Sequence, residues 1–224
     1  MSLTEQAIQK IKEMIVTGEL GPGDRLPKEQ DLAERIGLSR NSLREAIRAL
    51  SLIRVLDVRQ GDGTYVTSLS PDLLLEAMGF VMDLHRDDTV VQFLEVRRIL
   101  EPAATATAAG RISEDVLAQL AKLIESMGAP DATIETLVAD DLEFHRLVVS
   151  AAGNPVLTTL LESLSGMTTR ARVWRGLTQE GAAERTVDEH RAILDALKAG
   201  QPEVARAWAT VHVAGVEEWL RRAL

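Results

Sequence analysis

The chain of 224 residues contains no cysteine. This absence excludes disulfide bonds, thiol nucleophiles and zinc sites built from cysteine, and it is typical of proteins in a reducing compartment. No apolar run approaches the roughly 20 residues that a membrane-spanning helix needs, and the first residues lack the apolar stretch of a signal peptide. We therefore expect a cytoplasmic protein that has no membrane partner.

Aromatic residues are also scarce, at 3% of the chain, although 46% of it is apolar. A core rich in alanine and leucine favours helices packed on helices over a sheet sandwich. The length predicts two domains, since a domain usually has about 100–200 residues. We place the boundary in a polar stretch and expect domains at residues 1–69 and 70–224.

The net charge of −9 argues at first sight against a nucleic-acid partner. The charge is unevenly distributed, however, because residues 1–69 carry ten basic and ten acidic side chains, whereas residues 70–224 carry fifteen and twenty-four. Six arginines and only two acidic residues lie within residues 35–59. Phosphate groups respond to charge within a screening length of about 10 Å, so the N-terminal part can still bind DNA.

The N-terminal part has the pattern of a winged helix-turn-helix domain. Apolar spacing and capping residues predict three short helices at residues 4–18, 28–36 and 40–52, with Thr4 and Ser39 as N-caps. The following run, IRVLDVRQGDGTYVTS, alternates and turns like a small β-hairpin, which would be the wing.

Arginines repeat every four residues on the third predicted helix, opposite its apolar stripe, at Arg40, Arg44 and Arg48. Arginine can bind guanine edges or phosphate, so this row is a candidate DNA-binding surface. Asn41 and Ser42 lie in the same first turn, and the wing adds Arg59. The alternative is an ordinary charged helix face exposed to solvent.

The run GDRLPKEQDLAERIGLSRNSLREAIRAL, followed by VRQGDGTYV, resembles the DNA-binding domain of GntR-type bacterial transcriptional regulators over about residues 6–67. The resemblance implies a homodimer that binds a pseudo-palindromic operator in double-stranded DNA. It also implies DNA contacts from the second helix, the start of the third helix and the wing tip. These positions are Gln30, Arg40, Ser42, Arg44, Gln60 and Gly61.

Three positions depart from the pattern of that family. Gln30 stands where relatives often have arginine, which would weaken one DNA contact. Lys28 replaces a capping serine, at a cost of about 1 kcal/mol to the second helix. Arg54 replaces a glycine, so it would be strained if the backbone there has a positive φ.

Beyond Pro71 the sequence predicts only helices, which would form an all-α antiparallel bundle. Their expected ranges are 72–85, 89–109, 113–127, 132–152, 154–175, 181–199 and 201–222. The fold class is therefore mainly α, with a winged helix-turn-helix followed by a helical bundle.

Four polar residues in this part fall on stripes that should face the core: Asp141 and His145 on one helix, and His190 and His212 on two others. Three imidazoles and a carboxylate form a suitable ligand set for Zn²⁺, Ni²⁺, Co²⁺ or Mn²⁺. The alternative is that Asp141 and His145 form a hydrogen-bonded pair four residues apart, and that each other histidine is structural. His85 is not expected to join them.

The stretches FLEVRRILEPAA, DLEFHRLVVSAAGNP and EHRAIL resemble the FCD effector domain of the FadR subgroup of GntR regulators. The resemblance implies that Asp141, His145, His190 and His212 bind a divalent metal, with zinc or nickel favoured. It also implies a small carboxylate effector beside the metal. Arg97 is the candidate for holding that anion, and the alternative for Arg97 is an ion pair with Glu101.

These observations together predict a ligand-responsive, DNA-binding transcriptional regulator, with repression as the expected sign, and no catalytic residues. Three alternatives remain open at this stage. They are a metal sensor in which the ion itself is the signal, a hydrolase in which the metal activates water, and a regulator whose metal is purely structural.

Overall fold

The computed structural model of the chain describes residues 1–69 and 88–224. Its contacts divide the chain into two compact units, Met1–Met78 and Gly79–Leu224. The predicted helix at 72–85 and His85 lie outside the described residues, and the boundary after residue 69 stays a prediction. None of the helices in the described ranges is long and apolar enough to span a lipid bilayer.

The first unit has the predicted winged helix-turn-helix order. It contains α1 (Leu3–Val16), α2 (Glu29–Ile36), α3 (Arg40–Leu52), β1 (Leu56–Arg59) and β2 (Gly63–Val66). The two strands pair antiparallel, with Leu56 opposite Val66. Apolar residues from all three helices and both strands form one core, at whose centre Ile11, Leu32 and Leu43 are fully buried.

The start of α1 differs from the prediction that Thr4 caps it. The cap is Ser2, whose hydroxyl accepts a hydrogen bond from the Glu5 amide at 3.1 Å, while the Glu5 carboxylate accepts one from the Ser2 amide at 2.7 Å. This reciprocal pair satisfies two amides that would otherwise lack partners. Ser2 is therefore the N-cap of α1, and the prediction that Thr4 caps this helix is wrong.

Two of the three departures from the family pattern, at Lys28 and Arg54, have the structural consequences that the sequence predicts. Lys28 precedes α2 and makes no side-chain hydrogen bond to its first turn. Arg54 has a φ of 59°, in the left-handed region where glycine is at ease and other residues are strained by roughly 1–2 kcal/mol.

The second unit is the predicted helical bundle. It contains α4 (Asp88–Ala108), α5 (Glu114–Met127), α6 (Ile134–Ala151), α7 (Pro155–Met167), α8 (Thr169–Thr178), α9 (Ala182–Lys198) and α10 (Pro202–Ala223). Arg98 bonds Glu217 at 2.8 Å and Arg221 bonds Glu95, so α4 and α10 pack antiparallel. The sequence-based expectation of a mainly α fold is confirmed.

The single helix predicted at 154–175 is wrong, because the chain breaks at Thr168 into α7 and α8. The Thr168 hydroxyl donates to the Ser165 carbonyl at 3.0 Å, which is the local bonding by which threonine competes with a continuing helix. After the break, α8 buries Arg172 and Arg175.

Candidate metal centre and DNA-binding surface

The structure brings together the four polar residues that were predicted to face the core. Asp141 and His145 lie one turn apart on α6, while α9 supplies His190 and α10 supplies His212. All four are buried, with at most 4% of each residue exposed. One ligand atom from each lies within 4.8 Å of the others, so their convergence is a feature of the tertiary structure.

The spacing of these atoms fits a tetrahedral metal site. The Nε2 atom of His145 lies 3.1 Å from that of His212 and 3.3 Å from that of His190. Asp141 Oδ1 lies 3.4, 3.3 and 3.6 Å from the Nε2 atoms of His145, His190 and His212. Metal bonds of about 2.0–2.1 Å to nitrogen place tetrahedral ligand atoms about 3.3–3.4 Å apart.

Two glutamates orient the imidazole rings. Glu101 Oε1 lies 2.5 Å from Nδ1 of His145, and Glu189 Oε2 lies 2.9 Å from Nδ1 of His212. A carboxylate beside Nδ1 favours the tautomer in which Nδ1 carries the proton and Nε2 presents its lone pair, which is the form that binds a metal. In that tautomer two lone pairs and the Asp141 oxygen face one another, and either a proton on one Nε2 atom or a metal ion among the three atoms relieves the repulsion.

Two histidines of the cluster have pKa values shifted in opposite directions. Burial lowers the pKa of His212, but hydrogen bonds to Asp141 and Glu189 outweigh it and raise the pKa above its ordinary value. Burial and the neighbouring His212 keep the pKa of His190 well below its ordinary value. His190 is therefore neutral, which is the form that binds a metal.

The carboxylate of Asp141 is ionised in spite of its burial. Burial alone would raise the pKa of Asp141, but Arg172 and His145 lower it well below the usual range. Arg172 Nη1 donates to Asp141 Oδ2, which leaves Oδ1 directed at the histidines. Burial and the nearby Arg97 charge lower the pKa of Arg172 to about 10.

Arg97 lies in the ion pair that was its alternative interpretation. Its Nε and Nη2 atoms lie 2.9 and 2.7 Å from Oε2 of Glu101, and Nη1 donates to the Thr168 hydroxyl at 3.3 Å. The pair is almost fully buried. Arg97 thus supports the carboxylate that orients His145, and direct contact with an effector stays a prediction.

The sequence gives no signal for Glu189, Arg172 or Arg175, and it indicates Glu101 only as the partner of Arg97. Glu189 directly precedes His190 in EHRAIL, and its helix position alone does not show that it reaches His212 on another helix. Arg172 and Arg175 belong to a segment that the sequence predicts as part of one long helix. Their inward direction follows from the break at Thr168.

Two cavities reach the cluster. A narrow one of about 20 Å³ is lined by Asp141, Arg172, Arg175 and His212 among other residues of α6, α8, α9 and α10. A wider one of about 280 Å³ opens between α6 and α7 and has His145 and Ser165 in its wall. Members of the cluster therefore line both cavities, Asp141 and His212 the narrow one and His145 the wider one.

The candidate DNA-binding residues of α3 differ in their surroundings. Arg40 and Asn41 are exposed at the start of the helix, whereas Arg44 bonds Glu29 of α2 at 2.6 Å and Arg48 bonds Glu45 at 2.8 Å. Both ion pairs are exposed to solvent, so they are weak and can be exchanged for phosphate.

Ser42 is less available than its position on the helix suggests. Only 9% of it is exposed, and its hydroxyl lies 2.8 Å from that of Ser39, whose side chain also caps α3. The bonding with Ser39 fixes the first turn of the helix. A base contact by Ser42 stays a prediction, and it would require this hydroxyl pair to separate.

The remaining candidates lie on α2 and at the wing tip. Gln30 is exposed on α2, and Gln60 and Gly61 are exposed in the turn between the strands, where Gly61 has a φ of 80°. Arg59 bonds Asp57 at 3.0 Å and lies over the ring of Tyr65, 4.3 Å from its centre. The wing thus presents an ordered arginine beside a glycine turn.

Both units match known protein families. Residues 3–66 match the family described as bacterial regulatory proteins, gntR family, and residues 92–215 match the FCD domain. The second match by itself covers more than half of the chain.

Whole-length relatives agree with these matches. The HTH-type transcriptional regulator LutR of Bacillus subtilis is 31% identical, over 92% of this chain and 96% of its own. The galactonate operon transcriptional repressor of Escherichia coli is 28% identical, over 96% and 95%. The solved structure of Streptococcus agalactiae GntR has a TM-score of 0.75 and 29% identity, and covers 96% of this chain and 99% of that one.

Proposed function

Since this chain belongs to the GntR family of bacterial regulatory proteins and carries an FCD domain, it is a DNA-binding transcriptional regulator, and we propose that it is a metal-containing repressor controlled by a small carboxylate. The family and the relatives are regulators and not enzymes, so a hydrolytic role for the cluster is not proposed. We propose repression because the relative from Escherichia coli is named as a transcriptional repressor.

The observation that carries the metal assignment is the convergence of one possible ligand atom from each of four buried residues. Glu101 and Glu189 lie against the Nδ1 atoms of His145 and His212, and the Nε2 atoms of the two rings lie 3.1 Å apart beside Asp141. Three imidazoles and one carboxylate favour zinc or nickel, and manganese or cobalt are compatible. A bound divalent ion would supply a Lewis-acid position for the carboxylate of an effector.

The protein residues then have distinct tasks. Asp141, His145, His190 and His212 would be the metal ligands, and Glu101 and Glu189 would hold two of the rings in the binding tautomer. Arg97 and Arg172 balance the carboxylates. An effector would act by binding one conformation of the helical domain more tightly than another, because only such a difference can change DNA affinity.

The DNA-binding unit would act in a homodimer on a pseudo-palindromic operator. The start of α3, with Arg40, Asn41 and Arg44, would enter the major groove, and Arg48, Gln30 and the wing residues Arg59, Gln60 and Gly61 would contact the backbone or the adjacent groove. The exposed ion pairs of Arg44 and Arg48 would be exchanged for DNA contacts on binding.

The metal half of the proposal is tested by elemental analysis of protein purified without a metal-affinity tag, beside a His190→Ala variant. We expect about one equivalent of zinc or nickel in the wild-type protein and a large loss in the variant. Exposed Arg191 on the same helix provides the control Arg191→Ala, which should keep the metal. Wild-type protein that stays metal-free after reconstitution would contradict the site.

The proposed operator binding is tested by selecting the sequences that the protein binds from a library of random DNA duplexes. Gel shifts are then measured with the selected sequence. We expect a two-fold symmetric sequence and a shifted complex that contains two protein chains. Adding the metal without any organic acid tests the alternative of a metal sensor. A change in DNA affinity under that condition would show that the metal itself is the signal.

A further inference from the structure

We propose that Arg25, which precedes α2 and lies outside the wing, is a positioning residue that holds the wing tip in the conformation that contacts DNA. Its guanidinium group donates a hydrogen bond to the backbone carbonyl of Asp62, in the turn between β1 and β2. This inference rests on the proposed contact of Arg59 with DNA and adds a residue on which that contact depends. Arg25 is not one of the positions that the family resemblance implies as DNA contacts.

The segment at residues 23–26 runs along β2 like a short third strand of the wing. The Leu26 amide donates to the Thr64 carbonyl at 2.8 Å, and Arg25 lies opposite Tyr65 in an antiparallel bridge. Residues directly opposite one another in antiparallel strands project from the same face. The side chain of Arg25 therefore lies on the same face of the wing as that of Tyr65.

Gly63 leaves a gap on this face, and Arg25 fills it. Gly63 and Tyr65 are two residues apart on β2 and so share a face, and Gly63 pairs with Arg59 of β1. A Cβ atom on Gly63 would lie 2.5 Å from Nε and 3.0 Å from Nη2 of Arg25. The guanidinium group of Arg25 thus covers Gly63, and it reaches the turn at Asp62 because glycine has no side chain.

Further contacts lead from the turn to Arg59. The Tyr65 hydroxyl donates to Oδ2 of Asp62 at 3.0 Å, and the guanidinium of Arg59 lies 4.3 Å from the centre of the tyrosine ring. An arginine within about 6 Å of a ring centre is attracted to the ring face. Arg25 therefore fixes the turn residue that orients the tyrosine, and the tyrosine orients Arg59.

The type of contact favours positioning over a direct phosphate contact by Arg25. Its hydrogen bond ties one chain segment to the turn of another, and moving the guanidinium to a phosphate would release the turn and uncover Gly63. Arg59 differs, because its ion pair with Asp57 at 3.0 Å is exposed and can be exchanged for phosphate.

Two substitutions break the contact from opposite sides. Arg25→Ala removes the guanidinium, and Gly63→Ala displaces it, because the added Cβ atom would occupy its place. Gly63 is not among the glycines with a positive φ, so alanine adds no backbone strain there. Arg35→Ala is the matched control, because it removes an exposed arginine of the same unit from an ion pair with Glu19.

The measurement is fluorescence anisotropy of the selected operator duplex with full-length protein. We expect each single substitution to weaken binding about fivefold to tenfold and the double variant to stay within about twofold of either, because both changes break one contact. Arg35→Ala should bind like the wild-type protein. Multiplication of the two losses in the double variant, or wild-type affinity in both single variants, would overturn the proposal.

A second comparison separates positioning from general support of the fold. Arg59→Ala should weaken operator binding in the wild-type background and have little further effect in the Gly63→Ala background. Arg40→Ala, on α3, should weaken binding by the same factor in both backgrounds, because Arg40 shares none of these contacts. An equal effect of Arg59→Ala in both backgrounds would overturn the proposal, and this comparison holds even if Arg25→Ala does not fold.

Arg25→Lys tests the phosphate contact directly, because it keeps the charge and loses the planar guanidinium. We expect it to bind the operator as weakly as Arg25→Ala. Wild-type affinity in Arg25→Lys, with a salt slope reduced by about 1 in Arg25→Ala, would identify Arg25 as a phosphate contact and overturn the positioning role.

The effect of Arg59→Ala in the wild-type background, measured first, separates this inference from the proposed function. No loss of operator affinity would contradict the proposed DNA contact of Arg59 and this inference with it. A loss that is equal in the Gly63→Ala background would contradict only the positioning by Arg25.

Discussion

The carboxylate of Glu101 lies 2.5 Å from Nδ1 of His145, while Nε2 of the same ring lies 3.4 Å from Asp141. Each imidazole nitrogen thus has a separate task, because the proton on one side makes the other side a donor for a metal. Glu189 does the same for His212 at 2.9 Å. The orienting carboxylates are therefore part of the metal-binding arrangement and give it testable properties.

Replacement of Glu189 by alanine should weaken metal binding without removing a ligand. Loss of an orienting carboxylate typically lowers metal affinity about 10–100-fold, because the ring is free to change tautomer and direction. Zinc affinity is measured by competition with a chromophoric chelator. Glu184→Ala, at an exposed position on the same helix, should leave the affinity unchanged. An unaltered affinity in Glu189→Ala would show that His212 is held by packing alone.

Removal of the metal should lower the thermal stability of the wild-type protein. A ligand at about 100 times its dissociation constant stabilises the folded state by about 2.7 kcal/mol, and a chelator removes that contribution. Thermal unfolding with and without excess EDTA provides the measurement. His190→Ala should melt at the same temperature in both conditions. A wild-type melting temperature that is insensitive to EDTA would argue against a ligand that links three helices.

Replacement of Arg44 by alanine should weaken operator binding by about 1–3 kcal/mol if this side chain contacts a base. The loss should be largest on the selected sequence and small on unrelated DNA, as quantitative gel shifts at fixed salt would show. Arg191→Ala, which removes an exposed arginine from the helical bundle, is the control. An equal loss on all sequences would instead identify Arg44 as a phosphate contact.

Replacement of Arg54 by glycine should raise the free energy of unfolding. The φ of 59° strains arginine, whereas glycine adopts it freely, although glycine loses more backbone entropy on folding. The expected net gain is about 0.5–1 kcal/mol, measured by urea denaturation. Gly37, which ends α2 with a φ of 69°, gives the opposite test, because Gly37→Ala should lower stability by a similar amount. A loss of stability in Arg54→Gly would mean that contacts of the arginine outweigh its strain.

Local signals predicted most of the helix boundaries. Ser39, Ser113 and Gly37 begin or end helices where the sequence suggests, because a cap or a left-handed residue acts on its own neighbours. Two boundaries were predicted wrongly, and in both places a local hydrogen bond determines the outcome. At the start of α1 the Ser2–Glu5 pair prevails over Thr4, and at Thr168 a hydroxyl bonded to Ser165 divides one expected helix into two.

The sequence by itself determined the winged helix-turn-helix, the helical bundle and the inward direction of Asp141, His145, His190 and His212. These properties follow from the periodicity of apolar residues along each helix, and the family resemblance added the expectation of a metal. Only the tertiary structure decided which groups surround the cluster. Glu189 reaches a histidine on another helix, and Arg172 reaches Asp141 across the bundle, at separations of 23 and 31 residues. A helical pattern predicts which face is buried, but contacts between helices depend on how those faces pack together.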